Sequence, residues 1–264
     1  MKLGFIGCGN MAGAIVGGII KNGVLEANDI IASNRTEANR DKVKNTYGIN
    51  VTASNREVVE NADIVVLGVK PYFYEDVINE VKDYVKEDQI IVSIAPGKMI
   101  SWFEEKFGKK VKIVRTMPNT PSLVCEGMTA VCANELVTEE ELKEVCAVFE
   151  ACGKVEVISE KLMDVVVSVS GSSPAYVFMF IEAMADAAVA DGMPRQQAYK
   201  FAAQAVLGSA KMVLETEMHP GALKDMVCSP GGTTIEAVRV LEREGMRSAV
   251  IEAMKRCAEV AKGM

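Results

Sequence analysis

A glycine-punctuated turn stands between a short apolar run and an apolar helical pattern at the start of the chain. Residues 2–6 have the length and composition of a buried strand, and glycines follow at positions 7 and 9. Gly7 permits a tight turn, Gly9 lets the backbone approach a phosphate, and Ala12 or Gly13 allows the next helix to pack closely against the sheet. Backbone N–H groups at the start of that helix then face an anion. The pattern predicts a dinucleotide pyrophosphate site.

The surrounding sequence strengthens this interpretation. Ala12 replaces the third glycine of the usual pattern, so the glycines alone do not exclude a purely structural turn. However, the helical pattern runs to about Lys21, and a second apolar strand follows at residues 29–33. Strand, turn, helix and strand together complete a unit of about 30 residues that is typical of dinucleotide-binding folds.

The end of the second strand bears on the choice of nicotinamide cofactor. NAD-binding proteins favour a carboxylate there, because it accepts a hydrogen bond from the ribose 2′-hydroxyl and repels a 2′-phosphate. This chain has Ser33, Asn34, Arg35 and Thr36 instead, whose hydroxyl, amide and guanidinium groups suit a phosphate. We therefore expect NADPH, with NADH as a weaker alternative. An ordinary turn in which Thr36 caps the next helix would explain Thr36 but not the missing acid.

Composition excludes several partners. The 264 residues are 49% hydrophobic, the formal net charge is −7, and no basic stripe with interleaved aromatic residues is present. These features argue against nucleic acid or an anionic membrane as a partner. Neither a secretory leader nor an uninterrupted apolar stretch of about 18 residues is recognisable, so no membrane span is predicted and a cytoplasmic location is expected.

Residues that carry hydrolytic or metal chemistry are scarce. The seven cysteines include no Cys-x-x-Cys pair, and we expect most of them to be small core residues in a reducing compartment. Only Cys228, next to the glycine-rich loop at residues 229–234, has a position that suggests a chemical role. His219 is the only histidine, so neither a Ser-His-Asp triad nor a histidine-rich metal site can be assembled, and no metal is expected.

Hydrophobic periodicity divides the chain in two. Through residue 159, short β-branched runs alternate with helical patterns, which predicts a Rossmann-like doubly wound α/β sheet in an NADP-binding domain at residues 1–159. Thr138 and Glu141 form a capping-box pattern for one of its helices. The patterns of residues 160–264 are helical and predict an all-α second domain. Its expected roles, dimerisation and substrate binding, depend on an apolar helix and a glycine-rich turn within it. The predicted strands are residues 2–6, 29–33, 63–69, 89–94, 111–115, 129–133 and 155–158.

One predicted helix in the second half, at residues 174–191, is apolar nearly all round between residues 177 and 190. A helix that is apolar on every face must be buried on every face. Because a helical domain of about 100 residues has little interior, we predict that it packs against a second copy of itself, giving a homodimer. Burial wholly within one chain is the alternative.

Two more turns follow predicted strands at the edge where ligands bind in doubly wound sheets. Pro71 keeps Lys70 extended, so Lys70 can face a cofactor, and the next strand leads into Ala95-Pro96-Gly97. Plain strand-to-helix connections are the alternative for both. Two prolines around Asn119 and Thr120 predict a stiff polar loop near the nicotinamide, although both residues are also ordinary turn formers.

A second candidate anion site lies between two predicted helices of the second domain, at Ser229-Pro230-Gly231-Gly232-Thr233-Thr234-Ile235. Gly231 and Gly232 remove side chains where a new helix exposes its first N–H groups, and Thr233 or Thr234 adds a hydroxyl. A carboxylate would be held there by backbone donors, which compensates for the negative charge of the chain. A simple helix cap is the alternative.

These segments, in this order and spacing, closely resemble the pyrroline-5-carboxylate reductase family over nearly the whole chain. The resemblance depends on residues 5–11, 69–71, 117–121, 170–176 and 229–235, and the last two segments are highly specific. It implies NADPH-dependent reduction of 1-pyrroline-5-carboxylate to L-proline, the last step of proline biosynthesis. It also implies paired helical domains in a homodimer, with further assembly into a ring.

The resemblance also assigns residues. It implies that Ser229, Gly232 and Thr233 bind the substrate carboxylate, and that the hydroxyl of Thr234 contacts the ring nitrogen. The residues that it places in the NADPH site are Ile6, Gly7, Cys8, Gly9, Asn10, Met11, Ser33, Asn34, Asn55, Val69, Lys70, Pro71, Ala95, Pro96 and Gly97.

Two other interpretations remain open at this point. A β-hydroxyacid dehydrogenase shares the glycine-rich entry and a helical second domain, but it needs a catalytic lysine. Lys200, Lys211 and Lys224 stand in no recognisable signature of that kind. A non-catalytic NADPH sensor or scaffold would bind the cofactor without consuming it.

Overall fold

Short apolar runs become the strands of one sheet in the computed structural model, which describes residues 1–263. The strands are β1 (Leu3–Ile6), β2 (Ile30–Ser33), β3 (Asn50–Thr52), β4 (Ile64–Leu67), β5 (Ile90–Ser93), β6 (Lys112–Met117), β7 (Gly127–Ala133) and β8 (Gly153–Val157). Their order across the sheet is β3-β2-β1-β4-β5-β6-β7-β8, and neighbours from β3 to β6 are parallel. All residues of β1 and β4 are buried, as is typical of parallel strands covered on both faces.

The sheet differs from the sequence-based prediction in two places. Strand β3 was not predicted, because it has only three residues, begins with exposed Asn50 and pairs with β2 alone. Strand β7 runs antiparallel to β6, an orientation that periodicity does not report. The connection between them contains only the short 3₁₀ turn Thr120–Val124, whereas a parallel return needs a crossover of about a dozen residues or more.

Helices cover both faces of this sheet. They are α1 (Asn10–Lys21), α2 (Glu37–Tyr47), α3 (Asn55–Glu60), α4 (Tyr74–Val81), α5 (Ile100–Phe107), α6 (Glu139–Glu150) and α7 (Met163–Val166). Phe5 of β1 packs in one core cluster with side chains of α1, α2 and α6, and its neighbour Ile6 packs in another with side chains of α3, α4 and α5. Successive strand residues therefore face opposite layers. This arrangement confirms the predicted doubly wound fold.

Capping residues set the helix starts where the sequence predicted them. The Oγ1 atom of Thr36 accepts a hydrogen bond from the Asn39 N–H at 3.4 Å at the start of α2. Thr138 and Glu141 form the reciprocal capping box of α6, with distances of 2.9 and 3.3 Å. The α3 helix was not predicted, and Ser54 caps it by accepting from the Glu57 N–H.

The chain divides into two compact units. Residues 1–172, with the segment from Cys257 onward, form the α/β unit, and Ser173–Arg256 form a helical unit. The remaining helices are α8 (Ser173–Ala190), α9 (Arg195–Thr216), α10 (Pro220–Val227), α11 (Thr233–Arg243) and α12 (Met246–Lys262).

Within this single chain, helix α8 leaves exposed the apolar residues that a second copy was expected to cover. Ala185 is its one buried residue in the described chain, whereas the side chains of Phe178 and Met179 are 63% and 68% exposed. Helix α9 pairs with α8 and buries only Ala198 and Ala202. Burial wholly within one chain, the alternative weighed for this helix, does not occur among the described residues.

A longer helical run leads into α8. It begins at Glu160, passes through α7 and the π turn Val167–Gly171, and ends at Ala190, so it starts earlier than the sequence pattern predicted. By length and composition alone this 31-residue run could cross a membrane, although no span was predicted. One such helix is weak evidence for a membrane protein, and only 11% of its apolar window is buried within the chain.

Candidate functional site

The turn after β1 requires glycine at position 7. Gly7 has φ +85°, and a Cβ there would lie 2.7 Å from Val69 Cγ1 and 3.0 Å from the Val69 backbone nitrogen. Its N–H donates to the Ser33 carbonyl at 2.9 Å, so the ends of β1, β2 and β4 meet at this turn. A left-handed backbone and contact with a neighbouring chain segment each exclude a larger residue.

Gly9 is under no steric constraint from the described protein atoms. It precedes α1 with φ −87°, and a Cβ there would meet no described protein atom within 4 Å. No side chain of the described residues caps α1, and its first turn holds no acidic residue. The first N–H groups of this helix therefore face open space with a favourable dipole for an anion. This geometry fits a phosphate.

The two small residues after Asn10 have separate packing roles. Ala12 is buried, and a Cβ on Gly68 at the end of β4 would lie 3.1 Å from the Ala12 Cβ. Gly13 instead faces α2, where a Cβ would lie 2.8 Å from the Tyr47 hydroxyl. Of the two candidates for close packing against the sheet, Ala12 fits, and Gly13 makes room for a neighbouring helix.

The polar residues after β2 border the same space. The side-chain Oδ1 of Asn34 accepts from the Cys8 N–H at 3.2 Å, which joins this segment to the glycine turn. Its Nδ2 is buried and has no partner among residues 1–263. A buried amide donor without an acceptor costs about 1–3 kcal/mol, so a ligand acceptor at this position would be stabilising. The Arg35 guanidinium lies over the Phe73 ring, 4.8 Å from its centroid.

A carboxylate that the sequence did not predict lies beside this segment. The Ser33 hydroxyl donates to Asn55 Oδ1 at 2.6 Å, and Asn55 Nδ2 donates to Glu80 Oε2 at 2.8 Å. Glu80 belongs to α4, far from β2 in sequence. Linear spacing does not reveal it, since the contact depends on α3 and α4 packing side by side.

The turns after β4 and β5 complete this edge of the sheet. Lys70 is extended, with φ −67° and ψ 146°, as Pro71 predicts, and its side chain is exposed. The Tyr74 hydroxyl, fully buried, donates to the Leu67 carbonyl at 2.7 Å and holds the turn that carries Lys70. Ala95 is buried, and Gly97 adopts φ +83°.

These segments surround a cavity of about 760 Å³. Thirteen of the sixteen residues predicted for the cofactor line it: Gly7, Gly9, Asn10, Met11, Ser33, Asn34, Arg35, Asn55, Val69, Lys70, Pro71, Ala95 and Pro96. The other three, Ile6, Cys8 and Gly97, are outside the lining. Ile6 is fully buried in the core and Cys8 is engaged through its backbone N–H. Asp76, Glu80 and Leu123 line the cavity without having been assigned to it, and so does Thr120, which was expected near the nicotinamide.

Asn119 has a structural partner for each half of its amide. Its Oδ1 accepts from the Met128 N–H at 2.9 Å, and its Nδ2 donates to the Ser170 carbonyl at 3.0 Å. The side chain is nearly buried, so it connects the loop after β6 with β7 and the π turn. Of the two residues expected in a polar loop near the nicotinamide, only Thr120 lines the cavity.

The second candidate anion site has the expected helix start. Gly232 precedes α11 with φ −81° and ψ 171°, and no described side chain caps that helix. Gly231 has φ +67°, and the Gly232 N–H donates to the Ser229 carbonyl at 3.0 Å, which closes the turn. A Cβ on Gly232 would lie 2.4 Å from Ser229 Oγ, a hydroxyl that can rotate away, so the positive φ of Gly231 is the stricter requirement for glycine in this turn.

Side chains around this turn leave donors available. Thr233 is exposed and Thr234 is half-buried, and within the described chain neither hydroxyl has a hydrogen-bond partner. Glu236, the one acidic residue of the first turn of α11, is bound by Arg239 at 2.8 Å. The helix N-terminus can therefore hold a small carboxylate.

Thiol and imidazole groups, which are reactive in many enzymes, are held in unreactive states here. Burial raises the pKa of the Cys8 thiol to about 11 and those of Cys132 and Cys152 to about 12, so these thiols stay protonated at neutral pH. His219 caps α10, with its Nδ1 accepting from the Gly221 N–H at 3.0 Å.

A dinucleotide-type turn on a doubly wound sheet, with a candidate anion site at a helix start of the helical unit, marks the chain as a nicotinamide-dependent oxidoreductase. Residues 2–97 match the family model described as NADP oxidoreductase, coenzyme F420-dependent, and residues 160–264 match pyrroline-5-carboxylate reductase dimerisation.

Full-length relatives make the identification specific. The Escherichia coli pyrroline-5-carboxylate reductase is 55% identical over 98% of this chain and 96% of its own length. That of Methanosarcina acetivorans is 41% identical over 99% and 97%. The Plasmodium falciparum enzyme, solved with NADP bound, superposes with a TM-score of 0.91 at 35% identity, covering 100% of this chain and 97% of that one. This chain belongs to the pyrroline-5-carboxylate reductase family.

Proposed function

We propose that this chain reduces 1-pyrroline-5-carboxylate to L-proline with NADPH, by hydride transfer to the cyclic imine carbon in the last step of proline biosynthesis. The observation that carries the proposal is a pair of uncapped helix N-termini, at Gly9 and at Gly232, in a member of this family. One start suits the diphosphate of a dinucleotide, and the other suits a small carboxylate.

The cavity beside Gly9 fits NADPH. Its open helix start supports a diphosphate, and the unpartnered amide donor of Asn34 supports a further acceptor next to Arg35. When bound, NADPH supplies the hydride. The N–H groups after Gly9 hold the diphosphate, while Asn34 and Arg35 hold the 2′-phosphate by charge-assisted hydrogen bonds. NADH serves as a weaker alternative.

The turn before α11 holds the substrate. Backbone N–H groups of Gly232 and Thr233, with the Ser229 hydroxyl, bind its carboxylate, and the positive φ of Gly231 shapes the turn that presents them. The Thr234 hydroxyl accepts a hydrogen bond from the protonated ring nitrogen and orients the imine. The imine takes up its proton from bulk solvent before it binds, and an iminium carbon needs no further acid. His219, the one histidine of the sequence, is engaged in capping α10.

The helical residues 160–264 form the dimerisation and substrate-binding domain, and residues 1–159 form the NADP-binding domain. Exposure of Phe178, Met179 and the rest of the α8 apolar surface supports a homodimer, because an apolar surface of this kind needs a covering partner. A homodimer contact on α8 also explains why residues 160–190 form a helical run that is long and apolar enough to cross a membrane. We place the protein in the cytoplasm, with dimers assembling into a ring and no nucleic-acid partner.

Consumption of NADPH with the cyclic imine tests the proposal. Purified protein should oxidise NADPH when 1-pyrroline-5-carboxylate is supplied, with proline as the product. It should not reduce NADP⁺ with β-hydroxyacids, which a hydroxyacid dehydrogenase would do. Protein that binds NADPH but never consumes it with the imine would favour the sensor interpretation and would refute ours.

A further inference from the structure

Ser33, Asn55 and Glu80 form a hydrogen-bonded chain at the end of the cavity that carries Asn34 and Arg35. The Ser33 hydroxyl donates to Asn55 at 2.6 Å, and Asn55 donates to the Glu80 carboxylate at 2.8 Å. All three residues line the cavity. Because Asn55 uses its carbonyl oxygen toward Ser33, its NH₂ group is directed at Glu80 and holds that carboxylate in place.

The cations at this end are committed in part to other contacts. Arg40 lies outside the cavity lining and donates to the Asn34 and Arg35 carbonyls at 2.9 and 3.1 Å. The Arg35 guanidinium lies over the Phe73 ring. Asp76 lines the cavity one helical turn before Glu80, so α4 directs two carboxylates toward it. The charge at this end is therefore mixed.

A carboxylate discriminates between the two nicotinamide dinucleotides. It accepts a hydrogen bond from the 2′-hydroxyl of the NAD ribose, and it repels the 2′-phosphate of NADP. In this chain no acidic residue stands at the end of β2. Instead, Glu80 of α4 is linked to the Ser33 side chain by hydrogen bonds through Asn55.

We propose that Glu80 is a cofactor-specificity residue that favours NADH and limits the preference for NADPH given by Asn34 and Arg35. The inference depends on the proposed function, because it assumes that a nicotinamide dinucleotide occupies this cavity. Glu80 is exposed to solvent, so its effect is moderated by water and salt.

Replacing Glu80 by glutamine tests this assignment, because Glu80→Gln removes the charge and keeps the size. Equilibrium titration of the substrate-free protein, followed by the fluorescence of NADPH and NADH, measures both dissociation constants without turnover. We expect the ratio of the NADH constant to the NADPH constant to rise about 5- to 10-fold, and less at high salt.

Glu75→Gln is the matched control. Glu75 lies on the same helix, is paired with Lys106 at 2.7 Å and does not line the cavity. The ratio of the NADH to the NADPH dissociation constant in Glu75→Gln should therefore match that of the unaltered protein. An unchanged ratio in Glu80→Gln, or the same change in both variants, would overturn the inference.

The same measurements distinguish failure of the proposed function from failure of the Glu80 assignment. If the unaltered protein binds both dinucleotides but does not reduce the imine, the proposed function fails, and the binding ratio still decides the role of Glu80. If the protein reduces the imine and the ratio does not move, only the Glu80 assignment falls. Protein that binds neither dinucleotide would overturn both.

Discussion

The Arg115 guanidinium lies 3.1 Å from the Glu160 carboxylate, and the Arg115 side chain is only 4% exposed. Asp164 adds a second carboxylate at 3.5 Å. Glu160 Oε1 also accepts from the Ile100 N–H at 2.7 Å, so it caps α5 across a large sequence distance. One carboxylate thus neutralises a buried cation on β6 and accepts from the first backbone N–H of α5, the helix that follows the Ala95–Gly97 turn.

Removing the Glu160 charge should therefore destabilise the α/β unit. Glu160→Gln leaves Arg115 with Asp164 alone, and we expect the free energy of unfolding to fall by about 1–3 kcal/mol. Urea unfolding measures it. Glu144→Gln, at an exposed position of α6, is the control and should change little. Equal unfolding midpoints for the two variants would show that the Arg115–Glu160 pair contributes nothing.

The two glycines of the first turn should respond differently to alanine. Gly7→Ala places a Cβ 2.7 Å from Val69 Cγ1 at φ +85°, so we expect a loss of about 1–3 kcal/mol in stability. Gly9→Ala meets no described protein atom, so stability should be kept while the Cβ occupies the proposed phosphate space and weakens NADPH binding. Thermal unfolding and NADPH titration of both variants check this. Tight NADPH binding by Gly9→Ala would contradict the phosphate assignment.

Local sequence signals predicted most of the fold because their causes are local. The α5 and α10 bounds follow from apolar periodicity and from Pro220, and the α2 and α6 starts follow from the hydroxyls of Thr36 and Thr138. The glycine turn was recognisable because Gly7 and Gly9 act on their immediate neighbourhood.

Tertiary contacts account for what the sequence did not reveal. Glu80 reaches the end of β2 only through Asn55, and no spacing rule links α4 with β2. Asn119 has the composition of a functional loop residue, but β7 and the π turn use both halves of its amide. The direction of β7 depends on the length of a connection and not on the pattern within the strand.

Thr234 should affect turnover and not cofactor affinity. Thr234→Ala removes the hydroxyl that we propose orients the ring nitrogen, and we expect kcat to fall roughly 10- to 100-fold with the NADPH dissociation constant unchanged. Thr234→Ser keeps a hydroxyl and should restore most of the rate. Steady-state kinetics and NADPH titration separate the two quantities. Full activity in Thr234→Ala would remove this residue from the mechanism.

Buried thiols should make the protein sensitive to alkaline pH. The pKa of Cys8 rises to about 11 from 9.0 because burial disfavours the thiolate, so the folded state holds that proton more tightly than the unfolded chain. This contribution is complete below about pH 9 and is lost as the pH rises toward 11. Urea unfolding across this interval should show falling stability, and Cys8→Ala should reduce the slope. An identical slope in Cys8→Ala would refute the assignment.

Assembly should depend on the exposed apolar side chains of α8. Phe178 is 63% exposed, and burying a phenylalanine side chain stabilises by about 1.5–3 kcal/mol. A two-fold interface contains the residue twice, so Phe178→Asp should raise the dimer dissociation constant by at least about 100-fold. Sedimentation velocity over a range of concentrations measures this constant.

Val24→Asp provides the control, because Val24 is exposed in the α/β unit and lies outside residues 160–264. This variant should sediment like the unaltered protein, while Phe178→Asp should sediment as a monomer with the α/β unit still folded by circular dichroism. Dimers of undiminished affinity in Phe178→Asp would show that α8 does not form the interface, because a buried unpaired carboxylate at each copy of the contact cannot be accommodated without cost.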